Sequence, residues 1–214
     1  MKFKWWGHAT FTITSDDGTR IVTDPYGADF NYNSITDEAD IVTVSHDHFD
    51  HNGVDNVAGN PEVVNSIQGY RGEKVNIKTI ASYHDQSGGS DRGDNIIYII
   101  EAGDKTVAHL GDLGHMLSAG ELNLLKGVDF LLIPVGGHFT IDAEEAYELV
   151  QQIEPAAVFP MHYKTDKIDL PISGVEPFLN KFEKSQIEKV NDPEIEIEQL
   201  PENRKIYVLD YVSA

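Results

Sequence analysis

The sequence predicts a layered α/β fold, and three features lead to that prediction. Short apolar and β-branched runs, bounded by Gly, Asp or Pro, recur along the chain and indicate strands. Helical patterns are fewer and lie mainly in the second half. The 214 residues can bury roughly 70% of the unfolded surface, and no linker, charge block or internal repeat divides them. We therefore expect one domain over residues 1–214.

The predicted strands follow one another from the N-terminus, with turn-forming residues between them. Their apolar residues either alternate or run continuously, as in half-buried and fully buried strands. The predicted ranges are Lys2–Trp6, Thr10–Thr14, Arg20–Thr23, Asp40–Ser45, Val75–Tyr83, Asn95–Ile100, Lys105–Leu110, Val128–Val135, Ala156–Met161, Glu194–Leu200 and Lys205–Tyr211.

Three helices are predicted among these strands. Two open at capping boxes, where a Ser side chain and a Glu three residues later satisfy free backbone N–H groups. These boxes begin at Ser118 and at Ser173. The third helix spans Asp142–Ile153, because its apolar residues recur at helical spacing and form one buried face.

Composition excludes several function classes. With 36 acidic against 16 basic residues the formal net charge is −20, so no nucleic-acid partner is expected. The chain has no cysteine, which leaves His and carboxylates as the only strong metal ligands. It also has no signal-peptide core and no apolar run of about 18 residues. We expect a cytoplasmic protein with no membrane partner.

The strongest motif is Ser45-His46-Asp47-His48-Phe49-Asp50-His51, directly after a predicted buried strand. The alternative interpretation is a polar turn exposed to solvent. Uncoordinated imidazoles would gain nothing from this proximity and would repel one another when protonated, so the cluster favours a metal site. Neutral imidazole nitrogen and carboxylate oxygen suit Zn²⁺, with Mn²⁺ or Fe²⁺ as alternatives.

Further ligands are expected at other strand ends, because one loop cannot close a coordination sphere. His84, Asp112 and His162 each follow a predicted strand. In layered α/β proteins such strand ends meet at one rim, where sites are built. Taken singly, each residue fits a turn or a cap as well, and only its position relative to the motif favours ligation.

Segments along most of the chain resemble the metallo-β-lactamase superfamily, specifically metal-dependent hydrolases related to ascorbate-6-phosphate lactonase and N-acyl-phosphatidylethanolamine phospholipase D. The resemblance implies a four-layer αββα sandwich with metals at one edge. The matching segments, in the superfamily's order, are residues 7–11 (GHATF), 23–25 (TDP), 46–51 (HDHFDH), 83–85 (YHD), 109–115 (HLGDLGH), 134–137 (PVGG) and 160–164 (PMHYK).

The resemblance further implies two divalent cations and hydrolysis by a hydroxide that bridges them. Such a centre carries a net positive charge, which favours an anionic substrate. Asp50 and Asp112 would count as catalytic because they hold the reacting centre. The implied ligands are His46, His48 and His84 on the first metal, Asp50, His51 and His162 on the second, and Asp112 between them.

Other positions near these segments have expected roles, although each also fits an ordinary loop or surface residue. Asp24 and His8 are expected behind the ligands, orienting them through hydrogen bonds. His115 and His138 are expected to stabilise an oxyanion or to protonate a leaving group.

Two basic residues are candidate contacts for a substrate anion. Lys164 follows one strand-end ligand, and Arg92 lies in the Gly-rich stretch after His84. A solvated surface charge is the alternative for both.

We therefore predict a binuclear metal-dependent hydrolase of a small, anionic ester, lactone or phosphoester. The alternative is a mononuclear iron oxidoreductase or dioxygenase of the same fold. Flavodiiron-type relatives carry Glu where this chain has His48, which favours hydrolysis. A non-catalytic protein with structural metals is a third hypothesis. The sequence leaves the physiological substrate and the oligomeric state, including a homo-oligomer, open.

Overall fold

The computed structural model describes residues 1–213, which form two β-sheets. The first sheet has six strands in the order β13-β1-β2-β3-β4-β5. Strand β4 pairs in parallel with both β3 and β5, and the other pairs are antiparallel. Its strands are β1 (Lys2–Gly7), β2 (Thr10–Thr14), β3 (Arg20–Thr23), β4 (Glu38–Thr43), β5 (Ala58–Val64) and β13 (Glu194–Glu196).

The second sheet has eight strands in the order β12-β14-β11-β10-β9-β8-β7-β6. Strands β9, β10, β11, β14 and β12 pair in parallel, whereas β6, β7, β8 and β9 pair antiparallel. Its strands are β6 (Tyr70–Arg71), β7 (Val75–Tyr83), β8 (Asp94–Ala102), β9 (Lys105–His109), β10 (Phe130–Pro134), β11 (Ala157–Met161), β12 (Ile187–Val190) and β14 (Lys205–Leu209).

The α-helices all lie in the second half of the described chain, as the sequence predicts. They are α1 (Ala119–Leu125), α2 (Ala143–Ile153) and α3 (Glu176–Leu179), and short 3-10 turns lie at Val54–Asn56 and Lys184–Gln186. Ser118 forms its predicted capping box, and Asp142 forms one at the start of α2. The buried helix residues, such as Leu149 and Phe178, join the main core shared with both sheets.

The two faces of the first sheet are buried in different ways. Neighbouring residues alternate between them: Trp5, Ile21 and Ile41 enter the main core, whereas Trp6, Val22 and Val42 face a second cluster. Loops rather than α-helices cover this outer face, through residues 26–35 and through Ile168 and Ile172. Both faces are therefore apolar, and the strands form continuous rather than alternating apolar runs.

Three strands are not predicted by the sequence, and one predicted helix start is wrong. Strands β5, β6 and β12 are short or largely exposed and lack an apolar signature. No capping box forms at Ser173, and α3 begins only at Glu176. The backbone of Ser173 is used elsewhere: its N–H donates to Gly136 O and its carbonyl accepts from Lys164 N, both at 2.8 Å.

No helix within residues 1–213 has the length and apolarity needed to cross a membrane. The fold class, an α/β sandwich of two sheets with helices, agrees with the prediction. The pairing of parallel strands in both sheets brings several carboxyl ends to one rim, and that rim carries the polar cluster described next.

Candidate metal centre

The seven predicted ligands meet at one edge of the sandwich. They are delivered by the loop after β4, which carries the histidine motif, and by single residues at the ends of β7, β9 and β11. Within this cluster, three ligand atoms of His46, His48 and His84 lie within 4.8 Å of one another. A second group with the same spacing contains His8, Asp50, His51 and His162.

Asp112 lies between these two groups. Its Oδ2 atom is 3.1 Å from His162 Nε2, 3.3 Å from both His51 Nε2 and His84 Nε2, and 3.9 Å from His46 Nε2. The side chain is buried, with 3% of its surface exposed. One carboxylate is therefore shared by imidazoles of both groups, as a bridging ligand would be.

The polar atoms of the cluster fit a cation. Among the described residues, His46 Nε2, His51 Nε2 and Asp112 Oδ1 are buried without a hydrogen-bond partner. Buried polar atoms normally have partners, because an unpaired one costs about 1–3 kcal/mol. Imidazole nitrogen and carboxylate oxygen are both ligands for Zn²⁺, Mn²⁺ and Fe²⁺. The nitrogen and oxygen atoms of the cluster therefore fit a bound divalent cation.

Burial keeps several imidazoles in the neutral form that a metal needs. Burial and the neighbouring His51 lower the pKa of His46 to about 3. Burial and the neighbouring His162 lower the pKa of His8 to about 4. His51 differs: burial opposes its charged form, but Asp112 and Asp24 outweigh burial and raise its pKa well above the usual range. Without a cation, a protonated His51 would balance the two buried carboxylates.

Asp24 anchors the histidine motif from behind. Its Oδ2 lies 3.0 Å from His51 Nδ1 and accepts from Ser45 Oγ at 2.5 Å, while Oδ1 accepts from Ser45 N at 2.8 Å. Ser45 Oγ is in turn 2.9 Å from His46 Nδ1. Asp24 thereby orients two imidazoles, so that the Nε2 atom of each points to the centre.

His8 lies beside the ligands rather than behind them. Its Nε2 is 3.2 Å from Asp50 Oδ2, and its ring centroid is 4.0 Å from that of His162. Left-handed backbone occurs at His8, Asp24 and His162, with φ of 52°, 40° and 50°. Such strained non-glycine residues concentrate at functional sites.

Asn95, at the start of β8, is a site residue that the sequence did not predict. Its Oδ1 accepts from Asp112 N at 3.0 Å, and its Nδ2 donates to Ser82 Oγ at 2.7 Å and to Leu110 O at 3.0 Å. The side chain is fully buried. A polar residue at the first position of a long apolar run was the only sequence signal, and it did not distinguish Asn95 from a turn residue.

Three predicted site residues belong to neither ligand group. His115 uses both ring nitrogens locally: Nδ1 donates to Met116 O at 2.9 Å and Nε2 accepts from Tyr83 N at 3.2 Å. His138 is exposed. Lys164 is also exposed, and its Nζ donates to Asp169 Oδ1 at 3.2 Å. The catalytic roles of the two histidines and the substrate role of Lys164 stay predictions, because these contacts lie outside both ligand groups.

A cavity of about 460 Å³ opens in front of the centre. Ligands from both groups line its floor, and Phe49, Phe139, Leu170 and Arg92 line its walls. The predicted position of Arg92 beside the centre agrees with the structure. Its guanidinium lies 5.4 Å from the centroid of the Phe139 ring.

The loop that carries Arg92 is organised by Asp85. This buried carboxylate accepts from four backbone N–H groups, those of Ser87, Gly89, Asp91 and Arg92. Burial alone would raise the pKa of Asp85, but these donors lower it to about 2. The loop is therefore held by an ionised side chain adjacent to the predicted ligand His84.

Comparison with known proteins identifies the family. The sequence profile of the β-lactamase superfamily domain matches residues 2–162. The chain belongs to this superfamily. A UPF0173 metal-dependent hydrolase of Thermoplasma acidophilum is 27% identical over 195 residues, covering 77% of this chain and 84% of that protein. A UPF0173 protein of Pyrococcus furiosus is 32% identical over 183 residues, with the same coverage of 77% and 84%.

The structural comparison extends over nearly the whole chain. A candidate Zn-dependent hydrolase of the metallo-β-lactamase superfamily from Thermotoga maritima has a TM-score of 0.84 and 34% identity, and 99% of each chain is covered. The predicted fold class is confirmed, and so is the prediction of a metal-dependent hydrolase at this coarse level. The narrower resemblance to lactonase and phospholipase relatives stays a prediction.

Proposed function

We propose that this superfamily member is a binuclear hydrolase of a small, anionic ester, lactone or phosphoester. The observation that carries the proposal is the Asp112 carboxylate, which lies near imidazoles of both groups: His46 and His84 of one, and His51 and His162 of the other. His46, His48 and His84 would hold one cation, and Asp50, His51 and His162 the other. Bound divalent cations, Zn²⁺ or alternatively Mn²⁺ or Fe²⁺, would activate water and polarise a substrate oxygen.

The remaining side chains orient the ligands and the substrate. Asp24 holds His51 and, through Ser45, His46. His8 contacts the Asp50 carboxylate and restricts its orientation. The apolar wall residues would pack against a bound substrate, and Arg92 offers a positive charge to an anionic substrate group.

Metal content and hydrolysis test the proposal together. Purified protein is assayed for bound metals, and for turnover of 4-nitrophenyl acetate, bis(4-nitrophenyl) phosphate and γ-butyrolactone with and without a chelator. We expect two metal equivalents and chelator-sensitive turnover. Asp112→Asn should lose at least one equivalent and lower kcat/KM by at least about 1000-fold, because the bridging charge is removed.

Asp104→Asn is the matched control, since Asp104 is exposed in the turn between β8 and β9. It should leave metal content and kcat/KM unchanged within about twofold. A single iron, oxygen uptake and no hydrolysis would instead favour the mononuclear oxidoreductase. Two metal equivalents with no turnover of any substrate class would count against hydrolysis.

A further inference from the structure

The cavity in front of the metal centre has an apolar wall that its ligands do not require. Phe49 lies in the ligand loop between His48 and Asp50, yet 66% of its surface is exposed. Phe139 and Leu170 come from two other loops, and both line the same cavity. Exposed aromatic surface beside a polar site is typical of substrate contact, because folding gains little from a ring left in water.

This wall is pre-formed rather than loose. Phe139 and Leu170 pack against the second hydrophobic cluster, on the outer face of the first sheet. Phe49 contacts Phe30 edge-on, with ring centroids 5.9 Å apart, and Phe30 belongs to that same cluster. The three side chains are thus supported from behind while their free surfaces face the cavity. A pre-formed apolar wall binds a ligand without the entropy loss of first ordering its own side chains.

Arg92 places one positive charge at this wall. Its guanidinium lies over Phe139, and its backbone N–H donates to Asp85 Oδ2 at 2.8 Å. Among residues 1–213, no carboxylate lies within 4.0 Å of the guanidinium, although the chain carries a net charge of −20. The carboxylates of the cavity are engaged elsewhere: Asp50 and Asp112 contact imidazoles, and Asp47 accepts a hydrogen bond from Asn52. The charge of Arg92 is available to a ligand.

We propose that this cavity selects an amphipathic anion, an ester or lactone that carries one apolar group larger than acetyl and one carboxylate or phosphate group. The inference rests on the proposed function, since the reacting bond would lie at the ligand cluster. The apolar group would pack against Phe49, Phe139 and Leu170, and the anionic group would pair with Arg92. The cavity volume of about 460 Å³ accommodates such a molecule, because small-molecule sites range over roughly 300–1,000 Å³.

Binding of unreactive probes tests this inference without turnover. Isothermal titration of the metal-loaded protein compares 4-phenylbutyrate with butyrate, which lacks the ring, and with 4-phenylbutan-1-ol, which lacks the charge. A parallel arm uses 3-phenylpropyl phosphate against propyl phosphate. We expect the ringed anion of at least one arm to bind about tenfold or more tightly than each of its counterparts. Equal binding of ringed and ringless anions in both arms would overturn the inference.

Variants test the roles of the apolar wall and of Arg92 separately. Phe49→Ala should lower the affinity for the ringed anion about fivefold or more and change the affinity for butyrate less than twofold. The variant should fold normally, because Phe49 is exposed. Phe139→Ala should act in the same direction and more strongly. Arg92→Ala should reduce the advantage of the anion over the alcohol to what the metal centre alone provides, and Arg92→Lys should restore part of the loss. Unchanged affinities in Arg92→Ala would overturn the role of Arg92.

Leu124→Ala is the matched control for lost exposed apolar surface, because Leu124 is 60% exposed on α1 and does not line this cavity. It should bind all probes as the unaltered protein does. Turnover of 4-nitrophenyl acetate is measured in parallel. Turnover without any ring or charge preference would overturn this inference alone, whereas probe selectivity without turnover of any ester, lactone or phosphoester would overturn the proposed function alone.

Discussion

The two sheets build their halves of the candidate metal centre by different means. The first sheet supplies His46, His48 and His51 from one short loop, whereas the second supplies His84, Asp112 and His162 from strand ends far apart in the chain. One carboxylate, Asp24, holds the loop. The strand-end ligands depend instead on sheet register and on Asn95. A local motif brings ligands near one another, but only tertiary packing sets the distances between the two halves.

The two halves of the candidate metal centre meet at Gly111. Substitution there should lower the stability of the protein more than any other change considered below. Gly111 has a φ of +55°, and a Cβ atom there would lie 2.3 Å from Asn95 Oδ1 and 2.6 Å from Ser45 Cβ. Gly111→Ala should therefore destabilise the protein by about 3 kcal/mol or more, through strain and overpacking. Denaturant unfolding measures this loss.

Gly103→Ala separates strain from packing. Gly103 has a similar φ of +64°, but a Cβ atom added there would have no other atom within 4 Å. The substitution should cost only about 1 kcal/mol, which is the strain of left-handed backbone alone. Equal losses in the two variants would show that the halves do not press on each other at Gly111.

Removing the metal should cause the next largest loss of stability. This loss should be greater in the histidine loop than at the strand-end residues. Chelation should lower the free energy of unfolding by about 2.7 kcal/mol where free metal stood at about 100 times its Kd. Amides of residues 46–51 should lose hydrogen-exchange protection first. The N–H groups of Leu110 and His162 donate to Leu132 O and His8 O, both at 3.1 Å, and should stay protected longer. Uniform loss of protection would remove the distinction between the halves.

Asn95→Ala should damage the second half selectively. It leaves Asp112 N without its acceptor, which should cost about 2 kcal/mol of stability and lower metal affinity about tenfold or more. Urea unfolding and competitive metal titration measure the two effects. Asn123→Ala, at an exposed position on α1, should change either quantity very little. A comparable loss in Asn123→Ala would mean that Asn95 has no special role.

Lys164→Ala should have the smallest effect. Its exposed ammonium group pairs only with exposed Asp169, and such pairs contribute about 0–1 kcal/mol. KM for any turned-over anionic ester should change less than twofold. A larger increase in KM would support the substrate role predicted from the sequence.

A residue's role is predictable from the sequence where it depends on the residue's immediate neighbours in the chain. Strands Thr10–Thr14 and Arg20–Thr23 have their predicted bounds, and the predicted box at Ser118 caps α1. The histidine motif follows its strand at the rim, because adjacent residues in a loop must lie together. The strand-end ligands were found only because parallel strands share an end.

The features that the sequence does not predict all depend on contacts between residues far apart in the chain. Strand β5 contains Gly59 and Pro61 and is largely exposed, so its composition does not predict a strand that pairs with β4. Ser173 has a capping sequence, but its backbone bonds to Gly136 and Lys164 instead. The wall residues Phe49 and Phe139 resemble ordinary apolar residues in the sequence, because nothing local indicates that their rings face a cavity.

Residues 165–172 contact both the cavity and the outer face of the first sheet. Ile168 and Ile172 cover the outer face of that sheet, and Leu170, between them, lines the cavity. This cover is a loop, so its packing can loosen with temperature while the strands beneath remain paired. On heating, Leu170 should then lose its support before the sheets separate, so that substrate affinity falls before secondary structure is lost.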